Sequence, residues 1–326
     1  MKKLLTVIIA VINLIACSSS TNSETGSLSS SQSTEFQVTV DTINLSVNGD
    51  LRSVVLFRDN FYGLFESRRK NTTEDFKKMI VFNKKEGFVE DVFLPEGIQN
   101  MSNYDIIVAN DSFYFKERDF GIANFVLGEY VADFKLCKTK DFPIYTDEHY
   151  RVYATCNGEF GGTVYFQNIQ TKKSYEAEST CPVIINKIDT VYYVTNYLGH
   201  MLGSASVIKI TNPENLEKSD LNFNTHQGSL FKKGTELLLD SASFYIASSF
   251  VYNNQLMHLY SSKEGSYIGE IVNNKMKPVF QFNFKFSASF NQQLNNGKQV
   301  LSCWFEDDKC GVLVIEKNNF HFYKLK

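Results

Sequence analysis

The sequence predicts an all-β fold, and both its composition and its patterning support that prediction. Of the 326 residues, 14% are aromatic, with 28 Phe and 17 Tyr, and only 5 residues are Pro. Aromatic and β-branched residues are enriched in strands, whereas proline is depleted there. From position 36 onward, apolar and polar residues alternate with a period of two, which is typical of half-buried strands. We therefore expect strands rather than helices throughout the body of the chain.

The charge and hydrophobic content exclude two other classes of protein. Lys and Arg number 33 and Asp and Glu number 36, so the net charge is -3 and no nucleic-acid partner is expected. A hydrophobic content of 43% supplies ample material for a core, which excludes a disordered chain.

The first residues have the character of an export signal. Lys2 and Lys3 precede Leu4–Ile15, a nearly continuous apolar run that is shorter than the roughly 20 residues of a membrane-spanning helix. The following Leu-Ile-Ala-Cys, ending at Cys17, resembles the lipobox of bacterial lipoproteins. This resemblance implies that residues 1–16 are removed and that Cys17 is lipidated, which makes a membrane the first expected partner. The alternative is an ordinary signal peptide.

A flexible tether is predicted after Cys17, and a single domain after the tether. Residues 18–34 are almost all Ser, Thr, Gly and Asn, without apolar periodicity. Such a segment reaches roughly 20–25 Å as a random coil. The predicted organisation is a signal peptide at 1–16, a lipidated tether at 17–34, and one domain at 35–326.

Short strand-like runs follow one another through that domain. Runs of about five residues joined by turn residues are typical of all-β meanders. More than twenty can be counted, and helix is expected only as one turn at 73–78. The clearest runs are 36–40, 163–166, 191–195, 206–210, 244–247 and 312–315, and clear turns lie at 58–60, 253–254 and 273–274.

The spacing of the strands predicts a radial repeat. Apolar strands open near Val54, Ile106, Val152, Val191, Tyr245 and Leu301, at a mean spacing of about 49 residues. Four-stranded propeller blades have roughly 40–50 residues each. We therefore expect a β-propeller of about six four-stranded blades, with five or seven blades, a large sandwich or a barrel as alternatives. Three strands follow Gln299, and Phe36–Val40 is expected to add a fourth and so close the ring.

One stretch resembles a known propeller repeat. Tyr193-Val194-Thr195-Asn196, followed by Ser206–Ile210, is similar to the YVTN type of repeat, although the Asp that usually ends its second strand is missing. Together with the lipobox, the Ser-rich tether and the segments 156–166 and 180–183, the chain resembles uncharacterised propeller lipoproteins of Bacteroidota. That resemblance implies a fold and a compartment, and it implies no activity.

The cysteines allow disulfides but do not fix them. Excluding Cys17, five remain, an odd number, at positions 137, 156, 181, 303 and 310. Cys156 and Cys181 are the favoured pair because they lie on neighbouring strand segments, and an exported protein can form disulfides. Cys303 and Cys310 flank a turn-like sequence and are a second candidate pair. The alternative is that all five are buried thiols that pack as small apolar groups.

The candidate ligand-binding residues are Glu159, Phe160, Asn196 and His200. Glu159 and Phe160 precede Gly161-Gly162, and paired glycines let the backbone turn sharply or let another group approach it closely. Asn196 ends the YVTN-like strand, and His200 lies in the loop beyond it. Loops of this kind line one face of a propeller, where ligands bind.

The sequence contains no clear catalytic or metal-binding motif. The run 147–149 (Asp-Glu-His) is expected to be a solvated turn, and Met257-His258 lies inside a strand pattern, which favours a structural role. No nucleophile elbow or sialidase box occurs, so no catalytic residue, metal ligand or cofactor is assigned.

We expect a non-enzymatic binding or scaffold protein of the cell envelope, anchored in the outer membrane and facing the periplasm, with a glycan, peptide or envelope protein as partner. The alternative is a propeller hydrolase that acts on glycan or peptide through carboxylates at the ring centre. A hydrolase requires two facing carboxylates, whereas a binding protein is expected to have an aromatic-lined face without that pair.

Overall fold

The computed structural model describes residues 36–45, 47, 49–66, 77–94, 104–109, 112–117, 130–131, 134–137, 142–199, 203–223 and 227–326. These residues belong to one compact unit, Glu35–Lys326. The predictions for the signal peptide, for Cys17, for the tether and for His200 therefore lie outside the described residues.

The described residues form twenty-six strands and two short 3-10 helices, at Gly158–Phe160 and Pro213–Asn215, so the all-β prediction is confirmed. Within them, no helix is long and apolar enough to span a membrane. In chain order the strands are β1 (Gln37–Ile43), β2 (Asp50–Phe57), β3 (Asn60–Glu66), β4 (Lys77–Asn83), β5 (Gly87–Val92), β6 (Tyr104–Ala109), β7 (Ser112–Glu117), β8 (Tyr130–Val131), β9 (Phe134–Cys137), β10 (Tyr145–Thr146), β11 (Tyr150–Cys156), β12 (Gly162–Asn168), β13 (Ser174–Glu178), β14 (Pro182–Ile188), β15 (Val191–Leu198), β16 (Ser204–Ile210), β17 (Glu217–Ser219), β18 (Glu236–Ser241), β19 (Tyr245–Tyr252), β20 (Gln255–Ser261), β21 (Ser266–Val272), β22 (Lys275–Gln281), β23 (Phe286–Gln293), β24 (Gln299–Phe305), β25 (Cys310–Glu316) and β26 (Asn319–Leu325).

The strands form six sheets of four or five strands, which we number in chain order. Sheet I is β2-β3-β4-β5, sheet II is β6-β7-β9-β8, sheet III is β10-β11-β12-β13-β17, sheet IV is β14-β15-β16-β18, sheet V is β19-β20-β21-β22, and sheet VI is β23-β24-β25-β26-β1. Most neighbouring strands are also consecutive in the chain, because short turns favour antiparallel hairpins.

The two ends of the compact unit meet in sheet VI. Strand β1 pairs in parallel with β26 along its whole length, from Gln37 opposite Asn319 to Ile43 opposite Leu325. The predicted pairing of Phe36–Val40 with the last strands is therefore confirmed, with the strand itself beginning at Gln37.

Some predicted boundaries differ from the observed ones. Val152, Val191 and Leu301 were expected to open repeats, but each lies in the second strand of its sheet. The predicted helical turn at 73–78 is wrong at its end, since Lys77 and Lys78 begin β4, and the rest of it lies outside the described residues. Apolar patterning identifies a strand but does not tell its position within a sheet.

The predicted two-residue turns have the backbone geometry that tight hairpins require. Arg58-Asp59, Asn253-Asn254 and Asn273-Asn274 all have positive φ angles, between 47° and 65°. Two consecutive residues with positive φ form the turn type whose twist matches that of the flanking strands, and Asn and Asp adopt it most readily.

Among the described residues, the core consists of five apolar clusters, and each cluster lies between two sheets. They join sheets VI and I, I and II, III and IV, IV and V, and V and VI. The V–VI cluster is dominated by Phe rings, such as Phe282 and Phe322, whose centroids are 5.8 Å apart. The high Phe content of the sequence is therefore used mainly between sheets.

Candidate functional site

A cleft of about 370 Å³ lies where sheets IV, V and VI approach one another. It is lined by the side chains of Tyr197, Tyr245, Ser261, Ser287, Ala288, Ser289 and Trp304. This set contains three aromatic rings and three serine hydroxyls, and none of the seven residues carries a formal charge.

Strand pairing places the lining residues in pairs. Tyr245, the first residue of β19, lies opposite Ser261, the last residue of β20. Ser287, near the start of β23, lies opposite Trp304, near the end of β24. Side chains directly opposite one another on antiparallel strands lie on the same face of the sheet, so each of these sheets contributes one ring with one hydroxyl beside it.

Tyr245 fixes the geometry of the cleft. Its ring packs edge-on against Tyr197 at 4.1 Å between centroids, which joins sheets IV and V. Its hydroxyl donates a hydrogen bond to the carbonyl oxygen of Ala288 and lies 3.4 Å from Ser289 Oγ, which joins sheets V and VI. Burial raises the pKa of Tyr245 to about 12, so its phenol remains a protonated donor at neutral pH.

Four polar groups of the cleft are uncommitted. The hydroxyls of Tyr197, Ser261 and Ser287 and the indole N–H of Trp304 have no hydrogen-bond partner among the residues that the structure describes. Burial raises the pKa of Tyr197 as well, so its hydroxyl is also neutral. The cleft thus combines aromatic surface with neutral donors and acceptors.

Asn196 precedes Tyr197 in β15 but does not line the cleft, and its ligand-binding role stays a prediction. It is buried; its Oδ1 accepts from Ser179 Oγ at 2.6 Å, and its Nδ2 donates to Ser206 Oγ at 3.1 Å. Both ends of the amide therefore hold neighbouring segments together.

Glu159 and Phe160 lie in the 3-10 turn between β11 and β12, and neither lines the cleft. Both are exposed, Phe160 by 61%. The neighbouring glycine pair does allow a close approach, as the sequence predicted, but the approaching group is the chain itself. Gly228 donates its N–H to the Phe160 carbonyl at 2.9 Å, and a Cβ on Gly228 would collide with the backbone of Gly162.

A disulfide connects this turn to the cleft. Cys156, at the end of β11, is bonded to Cys181, immediately before β14, and this is the pair that the sequence favoured. The Tyr197 backbone N–H donates to the Cys181 carbonyl at 3.1 Å. The cross-link therefore supports the backbone of a cleft residue directly.

Cys303 and Cys310 are thiols and do not form the second candidate pair. Cys303 lies opposite Gly311 rather than opposite Cys310. Because neighbouring residues of a strand point to opposite faces of the sheet, this register places the two thiols on opposite faces.

A second polar cluster is enclosed within sheets IV, V and VI. His258 is fully buried, its Nδ1 lies 2.7 Å from Ser249 Oγ, and that hydroxyl lies 2.7 Å from Thr195 Oγ1. Gln299 Nε2 donates to the Ser249 carbonyl at 2.8 Å. Burial lowers the pKa of His258 to about 3, so the imidazole is neutral. Ser249 and His258 have the spacing of a nucleophile and a base, but both are fully buried, which supports the structural role predicted for His258.

Asp147 was expected in a solvated turn, and that expectation is wrong. Its carboxylate accepts hydrogen bonds from Lys187 Nζ at 2.7 Å and from the Tyr192 hydroxyl at 2.6 Å, and only 6% of its side chain is exposed. Glu148 and His149 are exposed, as predicted. Within the described residues, no group of three or more His, Cys, Asp or Glu side chains is arranged to hold a metal ion.

Comparisons with known proteins assign no family. No protein-family model matches the chain, and no curated protein is similar enough to count as a relative.

The cleft residues were missed because they are distant in sequence. They come from five strands, and only Tyr197 lies beside a predicted site. The one available signal was Trp304, the only tryptophan in the chain, at the end of an otherwise buried strand.

Proposed function

We propose that this protein is a lipid-anchored binding or scaffold protein of the cell envelope and that its ligand occupies the cleft. The observation that carries the proposal is the chemical character of the cleft, which combines three aromatic rings with neutral hydroxyls. Binding sites are typically concave and largely apolar, with a few polar groups that orient the ligand.

We propose further that the six sheets are the blades of a β-propeller. The inter-sheet clusters support this arrangement, because they join sheet I to II, III to IV, IV to V and V to VI, and also join the last sheet to the first. The pairing of β1 with β26 brings both ends of the unit into one blade, as ring closure requires. A ring of this kind is a rigid scaffold on which the ends of strands form a site.

The proposed anchor is the lipid on Cys17. The compact unit begins at Glu35, and β1 begins two residues later, so a tether at 18–34 would lead directly into sheet VI. Several acyl chains on one cysteine give stable attachment, since each buried CH₂ group contributes about 0.8 kcal/mol. We place the protein in the outer membrane, facing the periplasm.

Binding is preferred over hydrolysis because the cleft offers no acid–base pair. A glycosidase needs two carboxyl groups about 5–10 Å apart across the scissile bond. Neither Asp nor Glu lines the cleft. The Ser249–His258 pair lacks access to a substrate because both side chains are buried.

The binding proposal is tested by thermal denaturation of the full-length protein in micelles with neutral glycans, acidic glycans, peptides and divalent metals. A ligand at 100 times its Kd stabilises the folded state by about 2.7 kcal/mol, a shift of several degrees in Tm. Stabilisation by a ligand that is recovered intact is the expected result. Recovery of a cleaved ligand would favour the hydrolase. A Tm that no compound shifts would contradict small-ligand binding.

The anchor is tested separately by fatty-acid labelling in cells. Wild-type protein is expected to incorporate label, and Cys17→Ser to incorporate none. Equal labelling of the two proteins would rule out Cys17 as the attachment site.

A further inference from the structure

We propose that the cleft binds a neutral carbohydrate. This inference rests on the proposed binding function and names the class of ligand for that site. It is argued from three properties of the cleft: the charge of its lining residues, their polar groups without a hydrogen-bond partner, and its volume.

Charge excludes ionic ligands. No lining residue is ionised at neutral pH, because Ser, Ala and Trp side chains carry no charge there and an ordinary phenol is still protonated. Burial raises the pKa of Tyr197 and Tyr245 further. A charged ligand that loses its hydration without gaining an opposite charge is strongly disfavoured. An acidic glycan, a nucleotide or a charged peptide side chain is therefore expected to bind poorly.

The uncommitted groups match a sugar. The hydroxyls of Tyr197, Ser261 and Ser287 can each donate and accept, and the indole of Trp304 donates. Sugar hydroxyls also donate and accept, whereas the C–H face of a sugar ring is apolar and packs well on an aromatic ring. The cleft provides both kinds of surface, with one ring beside one hydroxyl in sheet V and again in sheet VI.

A peptide fits less well. One common mode of peptide recognition is backbone pairing of an extended peptide with an exposed sheet edge. The cleft is instead lined by side chains at strand ends, and Tyr245, Ser287 and Trp304 all lie on strands already paired with neighbours.

The size favours a short segment of glycan. A volume of about 370 Å³ lies near the lower end of the roughly 300–1,000 Å³ that is usual for small-molecule sites. We therefore expect the cleft to contact a short segment of a glycan.

Trp304 provides a direct readout because it is the only tryptophan in the chain and it lines the cleft. The experiment is a fluorescence titration of the full-length protein in a detergent without a sugar headgroup. The probes are neutral oligosaccharides of hexose and of N-acetylhexosamine, size-matched uronic acid oligosaccharides, and neutral peptides. We expect saturable change in Trp304 emission with at least one neutral oligosaccharide and at least tenfold weaker binding of the acidic ones.

Two conservative variants test the site itself. Tyr197→Phe and Ser287→Ala each remove one uncommitted hydroxyl, and each is expected to weaken sugar binding about fivefold. Tyr193→Phe is the matched control, since Tyr193 lies on the same strand as Tyr197 but does not line the cleft. Tm values equal to that of wild type will show that the variants fold.

The outcomes separate this inference from the broader proposal. If peptides or acidic glycans change Trp304 emission and neutral sugars do not, the carbohydrate inference is wrong and the binding function stands. If sugars bind but the two variants bind them as well as wild type, the sugar site is elsewhere. If no ligand of any class alters emission or Tm, both proposals fail.

Discussion

At the scale of single residues, His258 illustrates how burial sets chemistry. Its ring is fully enclosed, one nitrogen contacts Ser249, and the other nitrogen is buried without a hydrogen-bond partner among the described residues. Protonating this ring would bury an unpaired charge, so the folded protein keeps it neutral. The same histidine in the unfolded chain titrates near its ordinary pKa of about 6.5.

This difference predicts loss of stability in acid. Between pH 6.5 and about 3 the unfolded chain binds a proton that the folded chain excludes. His258 therefore does not lower the free energy of unfolding above pH 6.5. As the pH falls below 6.5 it lowers that free energy progressively, by about 2 kcal/mol at pH 5. Urea denaturation of His258→Gln across this range should show a shallower pH dependence than wild type. His149→Gln, which removes an exposed imidazole, is the matched control. A wild-type slope in His258→Gln would contradict the prediction.

Residue types alone did not identify the residues that line the cleft. Asn196 and Glu159 were predicted because their side chains can bind polar ligands. The Asn196 amide is hydrogen-bonded to Ser179 and Ser206, and the Glu159 carboxylate lies outside the cleft. Which polar groups stay uncommitted depends on neighbours that are distant in sequence.

At the scale of elements, sheets III and IV are joined by an ion pair. Burial by itself would raise the pKa of Asp147, but hydrogen bonds from Lys187, Tyr192 and two backbone N–H groups outweigh that effect and lower it. Because the pKa is depressed, the contribution of this carboxylate is present at neutral pH and is lost as the pH falls through the depressed value.

Lys187→Met is predicted to destabilise the protein by about 2 to 4 kcal/mol in urea denaturation, because Asp147 is left buried without its counter-charge. Adding Asp147→Asn should restore part of the loss. Lys209→Met is the control: Lys209 pairs with Glu236, whose side chain is 61% exposed, and such pairs contribute at most about 1 kcal/mol. Equal losses from the two lysine variants would argue against a buried pair.

The disulfide is a second link between the same two sheets. Cys156 and Cys181 are 25 residues apart, which corresponds to roughly 3.5 kcal/mol in the chain-entropy model. In urea denaturation, the double variant Cys156→Ser/Cys181→Ser should lose a similar amount of unfolding free energy. Its stability should no longer depend on whether a reductant is present. It should also bind ligand more weakly, because Cys181 accepts the Tyr197 backbone hydrogen bond. A variant that melts like oxidised wild type would exclude a stabilising role.

At the scale of the whole molecule, β1 determines whether the last sheet is complete. It covers the edge of β26. Phe36, just before β1, and Ile43, its last residue, each belong to an inter-sheet cluster. An uncovered edge strand exposes unpaired backbone groups that invite association with other chains.

Deleting residues 36–43 should therefore reduce stability by roughly 3 to 6 kcal/mol, from the loss of two buried apolar side chains. Hydrogen exchange should increase most in β25 and β26, and size-exclusion chromatography should detect self-association. Deleting 18–34 instead removes a segment predicted to be a tether and should leave Tm unchanged. A normal melt after loss of 36–43 would mean that β1 is dispensable.

The sequence by itself determined the all-β class and the tight Asn and Asp turns. It also determined that the N-terminal segment of the domain supplies the strand that completes sheet VI. These features are local: period-two patterning and positive-φ turns are encoded by adjacent residues. Only the tertiary structure decided which residues form the cleft, which carboxylate is buried and that Cys303 and Cys310 do not pair. Those properties depend on register and on contacts between sheets, where one residue of offset moves a side chain to the opposite face.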